Sequence, residues 1–159
     1  MRIGLGIDMH KLKEGIPLIL GGITIPFSKG LEGHSDGDVL LHSICDALLG
    51  AASLGDMGTH FPSSDNSLRN INSILLLSQT MNLLKTNLWK IVNIDATIMA
   101  EKPKLTSYFQ KMENLIATTI KVPAGNINIK AKTADGLGAL GNNEGIGAYA
   151  VALLEKASP

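Results

Sequence analysis

An aspartate and a histidine at the end of the first apolar stretch are of the types that bind metal ions. The stretch RIGLGIDMH, residues 2–10, alternates apolar side chains and ends with Asp8 and His10. In an extended strand, successive side chains point to opposite faces of the sheet, so these two side chains share one face. A carboxylate oxygen and an imidazole nitrogen side by side suit zinc if a third ligand comes from elsewhere. The pair also fits a strand edge that faces water.

A candidate third ligand, His42, lies in a segment with the apolar spacing of a helix. The positions with this spacing are Leu41, Ile44, Cys45, Leu48, Leu49 and Ala52. Asp38 and Asp46 lie four residues before and after His42, on one stripe of that helix. If the helix packs beside the first strand, Asp8, His10 and His42 form a set of three ligands with one open position, as in catalytic zinc sites. Asp46 would then hold the second imidazole nitrogen. A solvated helix stripe, with Asp8 capping a turn, is the open alternative.

Both ends of this helix carry residues that could contact a ligand. His34 and Ser35 precede the helix, where free backbone amides and the helix dipole favour a phosphate. Asp56 and Gly58 follow it, in a stretch over 55–67 that is rich in glycine, proline and small polar residues. We predict that this stretch is a mobile loop, and such loops often carry function.

The remaining elements must position these residues. We predict a hairpin that turns at Gly21 and Gly22, and a first helix with a capping box of Ser35 and Asp38 that stops at Gly55. A third helix is predicted after a cap at Thr106. The expected core positions are Ile71, Ile74, Leu75, Met81 and Leu84 in the second helix, Phe109, Met112, Ile116 and Ile120 in the third, and Val92, Ile94, Ala96 and Ile98 in the strand between them. Two strands, INIKAKT and IGAYAVALL, follow. The pattern predicts one α+β domain over residues 1–159.

Composition narrows the classes of function. Fourteen basic and fourteen acidic residues cancel, so no overall field attracts nucleic acid or an anionic membrane, and neither partner is expected. The single Cys45 lies among apolar residues and is predicted to be a buried, unreactive thiol. The longest apolar runs fall far short of the ~20 residues that span a bilayer. With a strand beginning at residue 2, we expect no leader segment and a cytoplasmic protein.

Six motifs that follow one another over residues 2–154 carry a family resemblance. They are DMH at 8–10, GHSDGDVLLHSICDALLGAASLGDMG at 33–58, HFP at 60–62, AEKPK at 100–104, IKAKT at 129–133 and NEGIGAYAVALL at 143–154. In this order and at these lengths, the motifs resemble those of the 2-C-methyl-D-erythritol 2,4-cyclodiphosphate synthase family. Several motifs in series over nearly the whole chain make the resemblance specific.

The resemblance implies an architecture and an activity. It implies a mixed β-sheet with three helices on one face and a small hairpin. It further implies a homotrimer whose sheets line a central channel and whose active sites lie between subunits. The implied enzyme is a phosphorus–oxygen lyase of the non-mevalonate route to isoprenoids. It converts 4-diphosphocytidyl-2-C-methyl-D-erythritol 2-phosphate into the cyclic diphosphate and CMP.

The implied chemistry explains the residue types. The 2-phosphate of the substrate attacks the β-phosphorus of its own cytidine diphosphate group, so the enzyme supplies positioning and charge neutralisation but no nucleophile. Zinc held by Asp8, His10 and His42 would act as Lewis acid and template. A second divalent cation, Mg²⁺ or Mn²⁺, would bridge the diphosphate through Asp135.

The resemblance also implies roles for particular residues. His34, Thr133 and Asp135 are implied to be catalytic. The implied substrate-binding residues are Asp8, His10, His34, Ser35, Asp56, Met57, Gly58, Phe61, Ser63, Asp65, Ala100, Lys104, Leu105, Thr106, Ala131, Lys132, Thr133, Asp135, Ala139 and Asn142. The segments 100–106 and 132–135 match the cytidine pocket that an adjacent subunit contributes.

Four positions depart from the family pattern. Asp135 stands where many members have glutamate, and Ser63 replaces a usual aspartate. Ala139 replaces an aromatic residue and Asn142 a frequent basic residue near the channel. We therefore do not expect an isoprenoid diphosphate to bind there as a regulator. Two rival functions stay open: a trimer that binds zinc and cytidine nucleotide without turnover, and a zinc hydrolase that uses bound water.

Overall fold

A mixed five-stranded sheet forms the centre of the molecule. The structure is a computed structural model that describes residues 1–157. The strand order is β4–β1–β7–β5–β6, and only the β5–β6 pair is parallel. In chain order, the strands are β1 (Arg2–Glu14), β2 (Leu18–Leu20), β3 (Ile23–Ile25), β4 (Lys29–Leu31), β5 (Trp89–Met99), β6 (Ile127–Lys132) and β7 (Gly145–Lys156). Strands β2 and β3 form a separate hairpin, and its turn at Gly21 and Gly22 is confirmed.

Three long helices pack on one face of this sheet, as predicted. The helices are α1 (Val39–Ala52), α2 (Met57–His60), α3 (Ser73–Thr86), α4 (Phe109–Ile120) and α5 (Gly138–Gly141), of which α2 and α5 are single turns. Helix α1 packs on β1 and β7, α3 on α1 and β5, and α4 on β6 and α3. The helix-facing side of β7 is a row of small residues, Ala148, Ala150 and Ala152, all fully buried. Their size lets the helices approach the sheet closely.

Two glycines of β1 set the distance between that strand and α1. A Cβ atom on Gly4 would lie 2.1 Å from the carbonyl oxygen of Ala47, and one on Gly6 would lie 1.9 Å from that of Ser43. Such distances are far below any real contact, so only glycine permits this packing. The even-numbered residues of β1 therefore face α1, and Asp8 and His10 share this face as predicted.

The opposite face of the sheet is apolar and open in the single chain. Ile3 and Leu5 of β1 are 74% and 61% exposed, and Ile7 and Met9 continue the row. Tyr149 pairs with Ile7 across the β1–β7 ladder, and Val151 pairs with Leu5. No described helix covers this surface, which we call the open sheet face.

The ends of the helices differ from those predicted. Helix α1 is capped by Asp38 alone, whose side chain accepts from the Leu41 amide, and Ser35 takes no part in the cap. It ends at Ser53 in the left-handed conformation, two residues before Gly55. Thr106 does not cap α4: it begins a 3-10 turn over Thr106–Tyr108, and α4 starts at Phe109 without a side-chain cap.

Other local predictions also need correction. The stretch 55–67, predicted to be a loop, contains α2, and a 3-10 turn begins at Asn66. Leu75 was expected in the core and is 53% exposed. A bulge between Ile91 and Asn93 shifts the alternation of β5, so Ile91 is buried and Val92 only half-buried. The core positions Ile94, Ala96 and Ile98 of β5 are confirmed.

None of the helices within residues 1–157 has the length and apolar character that a transmembrane span requires. Cys45 is fully buried, and burial raises the pKa of its thiol to about 12. The prediction of an unreactive thiol in the core therefore agrees with its surroundings.

Candidate metal centre and active site

Asp8, His10 and His42 come together where β1 passes the first turn of α1. One carboxylate oxygen of Asp8 lies 3.0 Å from His10 Nε2 and 2.9 Å from His42 Nδ1. One ligand atom from each residue lies within 4.8 Å of the others, so the three can share one metal ion. Two imidazole nitrogens and one carboxylate oxygen match the ligand types of zinc sites that keep an open position. The three residues therefore fit a divalent cation.

The two histidines keep the Asp8 carboxylate ionised. Burial alone would raise the pKa of Asp8, but hydrogen bonds and charge from His10 and His42 hold that pKa well below its usual range. The pKa of His10 is raised in turn, first by its hydrogen bond with Asp8. The site thus holds a charged oxygen ligand at neutral pH, as metal binding requires.

The ring of His10 is fixed on its far side by the backbone. Its Nδ1 atom is 2.5 Å from the carbonyl oxygen of Glu32, which can only accept a hydrogen bond, so Nδ1 carries the proton and Nε2 faces Asp8. Gly33 lies against the ring, where a Cβ atom would come within 2.9 Å of His10 Cε1. The glycine that opens the GHSDGD motif thus leaves room for this histidine.

The predicted partner of His42 is wrong. Asp46 makes no hydrogen bond to the His42 ring; it accepts instead from the Met57 amide at 2.7 Å and ties α2 to α1. The second nitrogen of His42, Nε2, lies 3.0 Å from Ser35 Oγ and 2.9 Å from Ser73 Oγ. Ser73 is 31 residues from His42 in the chain, so no local spacing connects it with this site.

The alternative of a solvated helix stripe is also wrong. Asp38 is fully buried and accepts hydrogen bonds from the amides of Gly21, Gly22 and Leu41. Burial raises the pKa of Asp38 to about 6. This carboxylate joins the β2–β3 turn to the start of α1, four residues before His42.

A cavity of about 380 Å³ opens beside the cluster. It is lined by eight of the residues predicted to act in substrate binding or catalysis: Asp8, His10, His34, Ser35, Met57, Gly58, Phe61 and Ser63. An apolar wall is formed by Leu68, Ile71 and Leu76, for which no site role is predicted from the sequence. The cavity is therefore charged where the cluster lines it and apolar along this wall.

Asp56 and Asp65 do not line this cavity. The Asp56 side chain caps α2 by accepting from the Thr59 amide, and that of Asp65 accepts from the Ser67 amide. The backbone carbonyl of Asp65, however, lies 3.0 Å from His34 Nε2. Both aspartates thus shape the segment 56–68, which forms part of the cavity wall and contacts His34 through the Asp65 carbonyl.

A second group of predicted residues lies at the ends of β5 and β6. It comprises Ala100, Lys104, Leu105, Thr106, Ala131, Lys132, Thr133, Asp135, Ala139 and Asn142, and none of them lines the cavity beside the cluster in the described chain. The Ala100 amide donates to the Lys132 carbonyl at 3.0 Å, and the Thr133 hydroxyl donates to the Asp135 carboxylate at 2.9 Å. Ala139 lies in α5, and Asn142 ends that turn.

Both groups lie at the same end of the sheet. Met9 of β1 and Met99 of β5 each pair with Gly147 of β7, so Asp8 and His10 are level with the end of β5. Strands β1 and β6 are three steps apart in the sheet, and neighbouring strands are about 4.8 Å apart, which separates the groups by roughly 14 Å. One chain therefore keeps the two groups apart.

The chain is an α+β protein with a mixed sheet and helices on one face. Its potential metal site, formed by two histidines and a carboxylate, lies beside a cavity for a small ligand. Residues 1–155 match the YgbB family. A Clostridium botulinum (strain Hall) protein named 2-C-methyl-D-erythritol 2,4-cyclodiphosphate synthase is 56% identical over 155 residues, which cover 98% of this chain and all of that protein. The chain therefore belongs to the YgbB family.

Solved structures agree with this assignment. The bifunctional IspDF from Campylobacter jejuni has a TM-score of 0.94 and 41% identity, covering 98% of this chain and 42% of that one. The CDP complex of IspF from Plasmodium falciparum has a TM-score of 0.87 and 34% identity, covering 99% of this chain and 97% of that one. The family resemblance found in the sequence is thus confirmed. So is the predicted function, the cyclisation reaction that forms the cyclodiphosphate in isoprenoid synthesis.

Proposed function

We propose that this chain carries out the cyclisation as a zinc-dependent phosphorus–oxygen lyase. It takes 4-diphosphocytidyl-2-C-methyl-D-erythritol 2-phosphate to 2-C-methyl-D-erythritol 2,4-cyclodiphosphate and CMP. The observation that carries the proposal is the cluster of Asp8, His10 and His42 beside a cavity. When bound there, zinc supplies positive charge to a phosphate oxygen. The CDP complex of the Plasmodium falciparum protein supports the cytidine diphosphate part of the substrate.

The residues around the cavity position a substrate that brings its own nucleophile. His34 and Ser35 line the cavity just before α1, whose amino-terminal end favours a phosphate. We assign His34 a hydrogen bond to the transferring phosphate, where it stabilises negative charge in the transition state. The apolar wall of Leu68, Ile71 and Leu76 faces the carbon skeleton of the erythritol and excludes water.

The second group of residues completes the site from a neighbouring subunit. In this proposal, the cytidine is bound by Ala100, Lys104, Thr106 and Lys132. Thr133 donates a hydrogen bond to the diphosphate, and Asp135 holds Mg²⁺ or Mn²⁺. The separation of roughly 14 Å across the sheet supports a contribution from another chain. A smaller carboxylate at residue 135 than in many members shortens the reach to that second cation.

The open sheet face supports a homotrimer around a central channel. Ile3, Leu5 and Val151 leave a large apolar surface exposed in the single chain, and such surfaces mark interaction sites. We keep the predictions of a single domain over 1–159 and of a cytoplasmic protein as parts of this proposal.

Light scattering tests the homotrimer and should give three times the chain mass. Leu5→Asp should yield smaller species, whereas Leu75→Asp, at an exposed leucine of α3, should not.

Product analysis tests the activity. The purified protein is incubated with substrate, Zn²⁺ and Mg²⁺, and the phosphorus NMR spectrum is followed. Cyclic diphosphate and CMP in equal amounts are expected. A linear phosphate product would identify a hydrolase instead, and bound CDP without turnover would identify a binding protein.

A matched pair of variants tests the metal cluster. His42→Ala should lose bound zinc and nearly all turnover while keeping the oligomer. Asn82→Ala, at an exposed position in the second half of α3, should keep both. Full zinc content in His42→Ala would refute the proposed ligand set.

A further inference from the structure

Two side chains behind His42 form a hydrogen-bonded chain on the side away from Asp8 and His10. Ser73, the first residue of α3, is fully buried, and its Oγ lies 2.9 Å from His42 Nε2. The same hydroxyl contacts the Asp36 carboxylate, which also accepts from the Ser73 amide at 2.9 Å. The order of contacts is therefore Asp36, Ser73, His42.

The chemistry of these groups fixes the direction of each hydrogen bond. An ionised carboxylate has no proton to give, so the Ser73 hydroxyl donates to Asp36. Asp36 also accepts from the amide of Asp38 at 3.2 Å, and it lies at the amino-terminal end of the 14-residue α3, where the dipole favours a negative charge. With its proton directed to Asp36, Ser73 offers only lone pairs to His42. His42 Nε2 must then donate.

This direction decides which nitrogen of His42 is free for a metal. When Nε2 carries the proton of the neutral ring, the lone pair is on Nδ1, and Nδ1 is the atom that faces Asp8 at 2.9 Å. His10 uses the opposite arrangement, with the proton on Nδ1 held by the Glu32 carbonyl and Nε2 facing Asp8. Each ring is thus held from behind by an acceptor.

We propose that Asp36 and Ser73 are positioning residues that set the tautomer and orientation of His42 for metal binding. This inference rests on the proposed function, in which His42 is a metal ligand. Partners of this kind behind a ligating histidine typically change metal affinity by about 10- to 100-fold. Ser35 Oγ, 3.0 Å from the same nitrogen, offers a second acceptor, so the loss from one variant falls near the lower figure.

The test measures Zn²⁺ affinity by competition with a chelator, which does not depend on turnover. Ser73→Ala removes the acceptor, and Asp36→Asn removes the group that orients the hydroxyl. Both should bind Zn²⁺ about 10-fold more weakly than the unaltered protein. The matched control is Asn72→Ala, which removes a cap of α3 at the Ile74 amide without touching His42. It should lower the unfolding temperature but leave Zn²⁺ affinity unchanged.

The outcomes distinguish a failure of this inference from a failure of the proposed function. If His42→Ala loses zinc but Ser73→Ala and Asp36→Asn bind it within twofold of the unaltered protein, the positioning role is refuted and the ligand set stands. If Asn72→Ala weakens zinc as much as they do, the effect is a general one of α3 and the role is also refuted. If His42→Ala keeps zinc, both proposals fall.

A second measurement needs no variant. In the zinc-loaded protein, nitrogen-15 NMR of the histidine rings reports which nitrogen carries a proton. The expected spectrum has a proton on His42 Nε2 and on His10 Nδ1. A proton on His42 Nδ1 would overturn the inference even if every variant failed to fold.

Discussion

The close contact between β1 and α1 makes Gly6 a sharp point at which to test how the site is positioned. Gly6 has an ordinary strand backbone, so a Gly6→Ala variant is opposed by packing alone. Its new Cβ would lie 1.9 Å from the Ser43 carbonyl oxygen, whereas ordinary contacts begin at 3.4 Å. Because both atoms belong to regular elements, α1 must move from β1 by about 1.5 Å.

This displacement acts on stability and on the metal cluster together. Overpacking of this kind typically costs about 1–3 kcal/mol, and the backbone partner favours the upper end. His42 moves with α1 while Asp8 and His10 stay on β1. Metal–ligand distances tolerate only about 0.2 Å, so a shift several times larger should weaken zinc binding at least ~10-fold.

The assay combines urea unfolding of the metal-free protein with zinc affinity by chelator competition. The control is Gly50→Ala, the same substitution on α1 at an exposed position with no atom within 4 Å. Helix propensity predicts that Gly50→Ala is neutral or stabilises by up to ~1 kcal/mol, with unchanged zinc affinity. Gly6→Ala with the stability and zinc affinity of the unaltered protein would refute the reasoning.

Three further predictions concern single side chains. The raised pKa of His10, due first to its hydrogen bond with Asp8, contributes stability that is complete below about pH 6.5 and lost as the pH rises through the raised value. Urea unfolding of the metal-free protein should therefore show a decline above pH 6.5 that is smaller in His10→Gln; equal slopes would contradict it. Cys45, buried and with a pKa raised to about 12, should react with a thiol reagent only when the protein unfolds, and rapid labelling of the folded protein would contradict its burial. Lys104→Ala should weaken CDP binding in calorimetry but leave zinc affinity unchanged, and an equal loss of both would indicate damage to the fold.

The parts that the sequence predicts well depend on local spacing. The two-residue period of β1 places Asp8 and His10 on one face, and the apolar period of α1 exposes His42 on the side that meets them. The paired glycines of β1 are equally local, and they allow the strand and the helix to touch. The triad therefore follows from short-range patterns plus one assumption, that α1 packs on β1.

What the sequence does not predict depends on competition between distant groups. Asp46 lies four residues after His42, a helical spacing at which it could reach the ring, but its carboxylate accepts from the Met57 amide of α2 instead. Ser73 and Asp36 are 37 residues apart, and a backbone hydrogen bond from the Asp36 amide to the Ile71 carbonyl brings their segments together. Ser53, a non-glycine residue, takes the left-handed position that was expected at Gly55. In the first two cases, contacts between separate elements override what local spacing predicts.

The two faces of β1 also connect the metal cluster with the assembly. Its even positions carry glycines and then the two ligands Asp8 and His10, while its odd positions, Ile3 to Met9, form part of the open sheet face. Within one chain, that apolar row remains in water and adds little to stability. In the proposed trimer it becomes buried, at about 25 cal/mol for each Å² removed from water. Trimer contacts of the odd-numbered residues then hold β1 in place. Its even-numbered residues can therefore include polar metal ligands, whose burial does not stabilise the fold. Weakening the trimer should therefore weaken zinc binding, even though no metal ligand is changed.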